Sequence, residues 1–204
     1  MKVFKNTSQF TSDLFHNGPF LERINTPVKV ECGWDIPYLS GYSRDGKTVY
    51  IDRHLQQFLL VNGKKIDIID FLVVHEVVEK ALIDLFHMHY RRAHHVATHY
   101  EYLAAKNHGI NWWVYSKFLK EQSKSVYSDK LTNVPRDLDL SAIRNDSEKL
   151  LIKDIQRGAR INKNTKQQEK IYQLDPSYFV KIENSTETGY TEVEYNEDVD
   201  YIKE

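Results

Sequence analysis

An α+β fold is what this sequence predicts: a small β-sheet packed on a buried central helix with two or three further helices, plus a polar C-terminal extension. Three observations predict it. Two short alternating segments, 27–31 and 48–52, read as strands and precede every long helical run. Residues 66–86 are strongly apolar and free of Gly and Pro, a run long enough to favour a helix over a strand. Two more helical stretches follow before the texture turns polar near residue 125.

Each element has a local reason. Phe10, Leu14, Phe15, Phe20 and Leu21 fit a short helix or anchor within residues 1–26. The strands at 27–31 and 48–52 are separated by an aromatic, turn-rich stretch and by Arg44-Asp45-Gly46-Lys47, a turn with an Asp-Gly signal. They can pair, though the segment between them is too long for a tight hairpin. Asn62-Gly63-Lys64-Lys65 breaks the chain again. In the helix at 66–86, Asp67 is the expected N-cap and Asp70 a first-turn acid. That helix is apolar on most sides, so it should be buried centrally, and its few polar residues need explaining. A second helix is expected from about Tyr90 to Asn107, stopped by Gly109, and a third over 111–124 with Trp112, Trp113, Tyr115, Phe118 and Leu119.

Composition sets bounds. A chain of 204 residues allows one sizeable domain with an extension, or two small domains. The expected organisation is a main domain over 1–125, a linker over 126–145 containing Pro135, and an extension over 146–204. Within the extension, 147–160 reads as a helix. Residues 157–170 carry five basic side chains against one acid, and 176–204 carry eight acids against two lysines. The basic stretch reads as a solvated helix face, and the tail as a weak hairpin or a partly disordered segment that can fold over the basic stretch. Charged residues make up 28% with a net charge of -1, which gives no bulk electrostatic basis for nucleic-acid binding. A single cysteine, Cys32, excludes an internal disulfide and a cysteine-rich zinc finger, so any metal must be held by His, Asp and Glu. The N-terminus lacks a signal-like apolar run, and no stretch reaches the length of a membrane span, so a cytoplasmic location without membrane contact is the expectation.

The chemistry concentrates between residues 75 and 101. His75 and Glu79 are four residues apart on the buried helix, with Glu76 beside the histidine. Positions i and i+4 share a helix face and can reach one ion together. Seven of the nine histidines lie between His75 and His108. On the second helix, His94, Thr98 and Glu101 follow one face at i, i+4 and i+7. His95 and His99 form a competing pair turned by about 100°. The His94 face is preferred, because Ala93, Ala97 and Ala104 beside it permit close helix approach. His87, His89 and His108 sit at helix ends, where interaction with the helix dipole accounts for them. The plain alternatives are a core histidine at 75 bonded to a carbonyl, and a Glu76–Lys80 pair at i+4. One divalent cation would satisfy all the buried groups at once.

The pairing of His75-Glu76-Val77-Val78-Glu79 with Ala93-His94-His95-Val96-Ala97-Thr98-His99-Tyr100-Glu101 resembles the zincin metallopeptidases, whose central helix carries HExxH. It is also similar to small bacterial and phage proteins with HExxE-K-A-L followed by A-H-x-x-A-T-x-x-E. The resemblance covers about 45–105. The chain departs from the zincin pattern at position 79, which is Glu. In the gluzincin branch a downstream helix supplies a Glu; here the order is exchanged, with Glu79 on the first helix and His94 on the second. The resemblance implies one zinc ion per chain held by His75, Glu79 and His94, with Glu101 as a further ligand or as a partner orienting His94. It implies Glu76 as the catalytic base, the 48–52 strand as the sheet edge lining a cleft, and Tyr38, Tyr42 or Tyr50 as an oxyanion donor.

The function expected is therefore a zinc-dependent hydrolase, a peptidase acting on a peptide or protein substrate through an activated water. The alternative is a non-catalytic, metal-stabilised binding module of phage or prophage origin. Two others are a non-haem iron enzyme, which uses a similar donor set, and a metal-free helical protein with a satisfied polar core.

Overall fold

The computed structural model describes residues 17–128, 131–140 and 170–172. In chain order its elements are α1 (Gly18–Asn25), β1 (Val28–Trp34), β2 (Ser40–Tyr42), β3 (Thr48–Asp52), β4 (Phe58–Val61), β5 (Lys64–Asp67), α2 (Ile69–Phe86), α3 (Tyr90–Asn107), α4 (Trp112–Ser128) and β6 (Lys170–Tyr172). The architecture is α+β, with a helix packed on a small mixed sheet. Of the anchor residues expected near the N-terminus, Phe20 and Leu21 lie in α1, which Asn17 caps by accepting the Phe20 N–H at 3.0 Å. Phe10, Leu14 and Phe15 lie outside the described residues, as do the 147–160 helix and the acidic tail.

The sheet runs β2-β3-β1-β6. β1 and β3 pair in parallel, with Val30 opposite Val49, and β6 joins the far side of β1 antiparallel. The Asp-Gly turn folds β2 back onto β3 antiparallel, so that Tyr42 lies opposite Val49. Thr48–Asp52 is therefore an interior strand and not the sheet edge that the zincin resemblance implies. The reason is local: the stretch between the two strands supplies a strand of its own, and that strand takes the outer place.

Residues 66 and 67 belong to strand rather than helix. Asn62 and Gly63, at φ 50° and 76°, form the tight turn of a β4–β5 hairpin, the left-handed conformation that Asn and Gly tolerate best. The helix consequently begins at Ile69. The N-cap position is Ile68 and not the expected Asp67, although Asp67 Oδ1 accepts the Ile69 N–H at 2.9 Å.

α2 is the centre of the molecule. Every residue from Phe71 to Leu82 is buried, a consequence of an apolar surface that has no single wet face. It packs on the sheet through Val30, Val49 and Ile51 and on α1 through Phe20 and Ile24. On its other side lies α3, whose Ala93, Ala97, Ala104 and Ala105 are fully buried. Small side chains there let two helix backbones come close. His75 reaches Glu101 while Glu79 reaches His94, so the two helices run antiparallel. Gly109, at φ 71°, ends this hairpin after His108.

Residues 131–140, within the stretch read as a linker, lie along the outer edge of β2 as a strap. Ser43 bridges Leu138, the Arg44 N–H donates to Asp137 O at 2.8 Å, and the Asp139 N–H donates to Tyr42 O at 2.9 Å. Ile36, Tyr50, Val134 and Leu138 form a second small core beneath it. Its anchor is buried Asp35, whose Oδ2 accepts Thr132 N–H, Thr132 Oγ1–H and Asn133 N–H within 2.8 Å. Arg53 pairs with the other oxygen. Asp35→Ala removes the acceptor and strands these donors. A loss of about 3 kcal/mol is expected in urea unfolding, since breaking a buried hydrogen-bonded charge has that scale. A change within about 0.5 kcal/mol, the size of an ordinary surface substitution, would contradict the anchoring role.

Candidate metal centre

Three donor atoms converge where α2 faces α3. His94 Nδ1 lies 2.8 Å from Glu79 Oε2 and 3.0 Å from His75 Nε2, and His75 Nε2 lies 3.5 Å from Glu79 Oε2. Ligands about 2 Å from a tetrahedral zinc stand about 3.3 Å from one another, so the triangle needs only small adjustments to take an ion. His75, Glu79 and His94 form the cluster with metal-holding geometry among the described residues. The His75 and Glu79 side chains are 9% and 5% exposed, whereas that of His94 is 42% exposed, so the triangle opens to solvent along α3.

Glu101 is placed differently. Its Oε2 lies 2.8 Å from His75 Nδ1, the nitrogen facing away from the triangle. Its Oε1 accepts the buried Tyr115 hydroxyl at 2.7 Å. A carboxylate on the second ring nitrogen fixes tautomer and orientation of a histidine that binds metal through the first. The histidine that Glu101 orients is thus His75, not His94. Thr98 Oγ1 donates to His94 O within the helix at 2.9 Å and does not enter the cluster.

Glu76 is buried beside the triangle, and its Oε1 accepts from Ser40 Oγ at 2.7 Å. Glu79 Oε1 accepts from the Tyr42 hydroxyl at 3.0 Å. Ser40 and Tyr42, two apart on β2, project to the same side of the sheet and each holds one of the two carboxylates. Lys80 does not pair with Glu76; it bonds Asp84 and Asp139, both at 2.9 Å.

The electrostatics follow from crowding charges into a dry site. Burial, and after it the Glu79 charge, pushes the Glu76 carboxyl up to about 8. Burial also acts to raise Glu79, but hydrogen bonds to His75 and His94 outweigh it and hold Glu79 at about 2. His75 is lowered by burial and raised more strongly by its bonds to Glu101 and Glu79, and ends well above the usual imidazole range. A proton on His75 is thereby favoured, held between the Glu101 and Glu79 carboxylates. A divalent cation in the triangle would replace that proton and draw Glu76 down toward ionisation.

The remaining candidates do not join the site. His95 is exposed, and His99 stacks on Tyr102 with its centroid 6.0 Å away. Burial and then His95 lower His99 to about 4. His87 is the left-handed cap of α2, His89 precedes α3, and His108 Nδ1 lies 2.9 Å from Ala104 O. The Tyr50 hydroxyl donates to Asp137, and Tyr38 packs on the small core under the strap. Sequence reasoning missed Ser40, and it took Tyr115 only for a packing residue. Nothing local marks either one: Ser40 is 36 positions from Glu76, and Tyr115 resembles every other aromatic of α4.

No family model matches the chain, and neither curated proteins nor solved structures give a match. No helix among the described residues is long and apolar enough to cross a membrane.

Proposed function

We propose that the chain is a zinc-dependent hydrolase, a peptidase, in which His75, Glu79 and His94 hold one zinc ion. The single observation that carries this reading is the convergence of two imidazole nitrogens and one carboxylate oxygen within 3.5 Å, at a site open on one side. Borderline metals favour this donor set, and a site with three protein ligands leaves a position for water. A zinc ion so bound supplies a Lewis acid that lowers the pKa of water toward 7. Glu76 takes the proton of the attacking water and returns it to the leaving amine, and Ser40 keeps one of its oxygens in place. Glu101 holds His75, and Tyr42 holds Glu79.

The test is cleavage of β-casein, an unstructured chain, by the zinc-loaded protein with and without a chelator. Cleavage abolished by chelation and restored by zinc is expected. Zinc bound at one per chain with no cleavage would replace the hydrolase by the metal-stabilised binding module. Because Glu101 acts through His75, Glu101→Gln is expected to weaken zinc binding by about 10- to 100-fold without abolishing it, read by competition with a chromophoric chelator. Unchanged affinity would remove Glu101 from the site.

A further inference from the structure

Tyr42 stands where the strap, the sheet edge and α2 meet. Its hydroxyl donates to Glu79 Oε1, which leaves Oε2 to face His94 and His75. Its carbonyl accepts the Asp139 N–H at 2.9 Å. Lys80 Nζ lies 5.3 Å from the centre of its ring, and that ammonium is held by the Asp139 and Asp84 carboxylates. Asp139 therefore restrains Tyr42 twice: directly at the main chain, and through Lys80 at the ring face. Tyr42 and Lys80 are both buried, so these contacts are little screened by solvent.

A carboxylate with one oxygen held by a phenol presents only the other. Without that hold it can rotate, chelate with both oxygens or pair fully with the two histidines. Partners of this kind are what fix the geometry of a metal ligand. We infer that Tyr42 and Asp139 are positioning residues for Glu79, so that the strap at 131–140 sets the affinity of the centre for its divalent ion. This inference rests on the metal-site reading. By reciprocity, an ion bound at Glu79 must tighten the strap.

The experiment is a zinc titration against a competing chelator for wild type, Tyr42→Phe, Asp139→Ala and the double variant, each with its unfolding followed in urea with and without zinc. Tyr42→Phe should lose about 10- to 100-fold in affinity, the scale for partners of metal ligands. Asp139→Ala should lose less in the same direction. The double variant should match Tyr42→Phe alone, since both act along one path. In the wild type, zinc should slow hydrogen exchange at the Asp139 N–H. A merely structural role would lower the stability of the zinc-free protein and leave affinity untouched, and that result would overturn the inference. Should Tyr42→Phe fail to fold, Asp139→Ala and the exchange measurement decide it: unchanged affinity and unchanged exchange would overturn it. A wild type that binds no zinc would overturn the metal reading itself, whereas wild type and variants binding zinc equally would overturn this inference alone.

Discussion

Protein purified without a histidine tag is expected to carry about one zinc ion per chain, and the His75→Ala, His94→Ala double variant to carry none. Removing both imidazoles leaves Glu79 as the last donor of the triangle, and one carboxylate does not hold zinc against solvent. The stability effect should also be large. Glu79 and Glu101 would remain buried without the imidazole each now bonds. Stripping the partner from a buried charge costs about 3–5 kcal/mol. The wild type additionally gains about 4 kcal/mol when free zinc stands at 1,000 times the dissociation constant, a gain the variant forfeits. Elemental analysis and urea unfolding with and without zinc read both effects. Full occupancy in the double variant would show that the ligands lie elsewhere.

Glu76→Gln is expected to retain zinc and to cleave β-casein more slowly by about 10² to 10⁴, the usual worth of general-base assistance. Gln fills the same space and can still accept from Ser40 Oγ, so fold and metal content should survive. What it lacks is a site for the water's proton. The substitution also removes the acid that burial and the Glu79 charge hold up at about 8, so the zinc-free protein should not lose stability at neutral pH through this position. Equal rates of cleavage by the two proteins would take Glu76 out of the mechanism, and loss of zinc would place it among the ligands.

What could be read from the sequence and what could not divide along contact range. α2, α3 and the Gly109 stop were legible because each rests on a local signal: an apolar run without breakers, helical spacing, and a residue suited to positive φ. The geometry that brings His75, Glu79 and His94 together rests on helix periodicity and on alanines that permit close approach, both visible in the chain. The order of the strands was not legible. A three-residue strand such as β2 has no periodicity to detect, although the Asp-Gly turn that folds it onto β3 was visible. Composition likewise hid the strap, since its two buried apolar side chains, Val134 and Leu138, stand among polar residues, and its anchor Asp35 lies 97 positions from Thr132. The polar partners Ser40 and Tyr42 reach α2 across more than thirty-five positions, farther than any motif extends.

The helical hairpin also imposes an order of assembly. Every donor of the candidate centre, and the carboxylate that orients His75, lies within a span of 26 positions, on two helices joined by a three-residue turn. The strap contact to Lys80 closes a loop of 59 positions, and β6 joins β1 later still in the chain. Closing longer loops takes more entropy, and contacts distant in sequence form late. During synthesis α2 and α3 are complete before residues 137–139 or 170–172 have been made. If the proposed centre holds an ion, its three donors are in place on the growing chain before the strap that closes over the sheet edge exists.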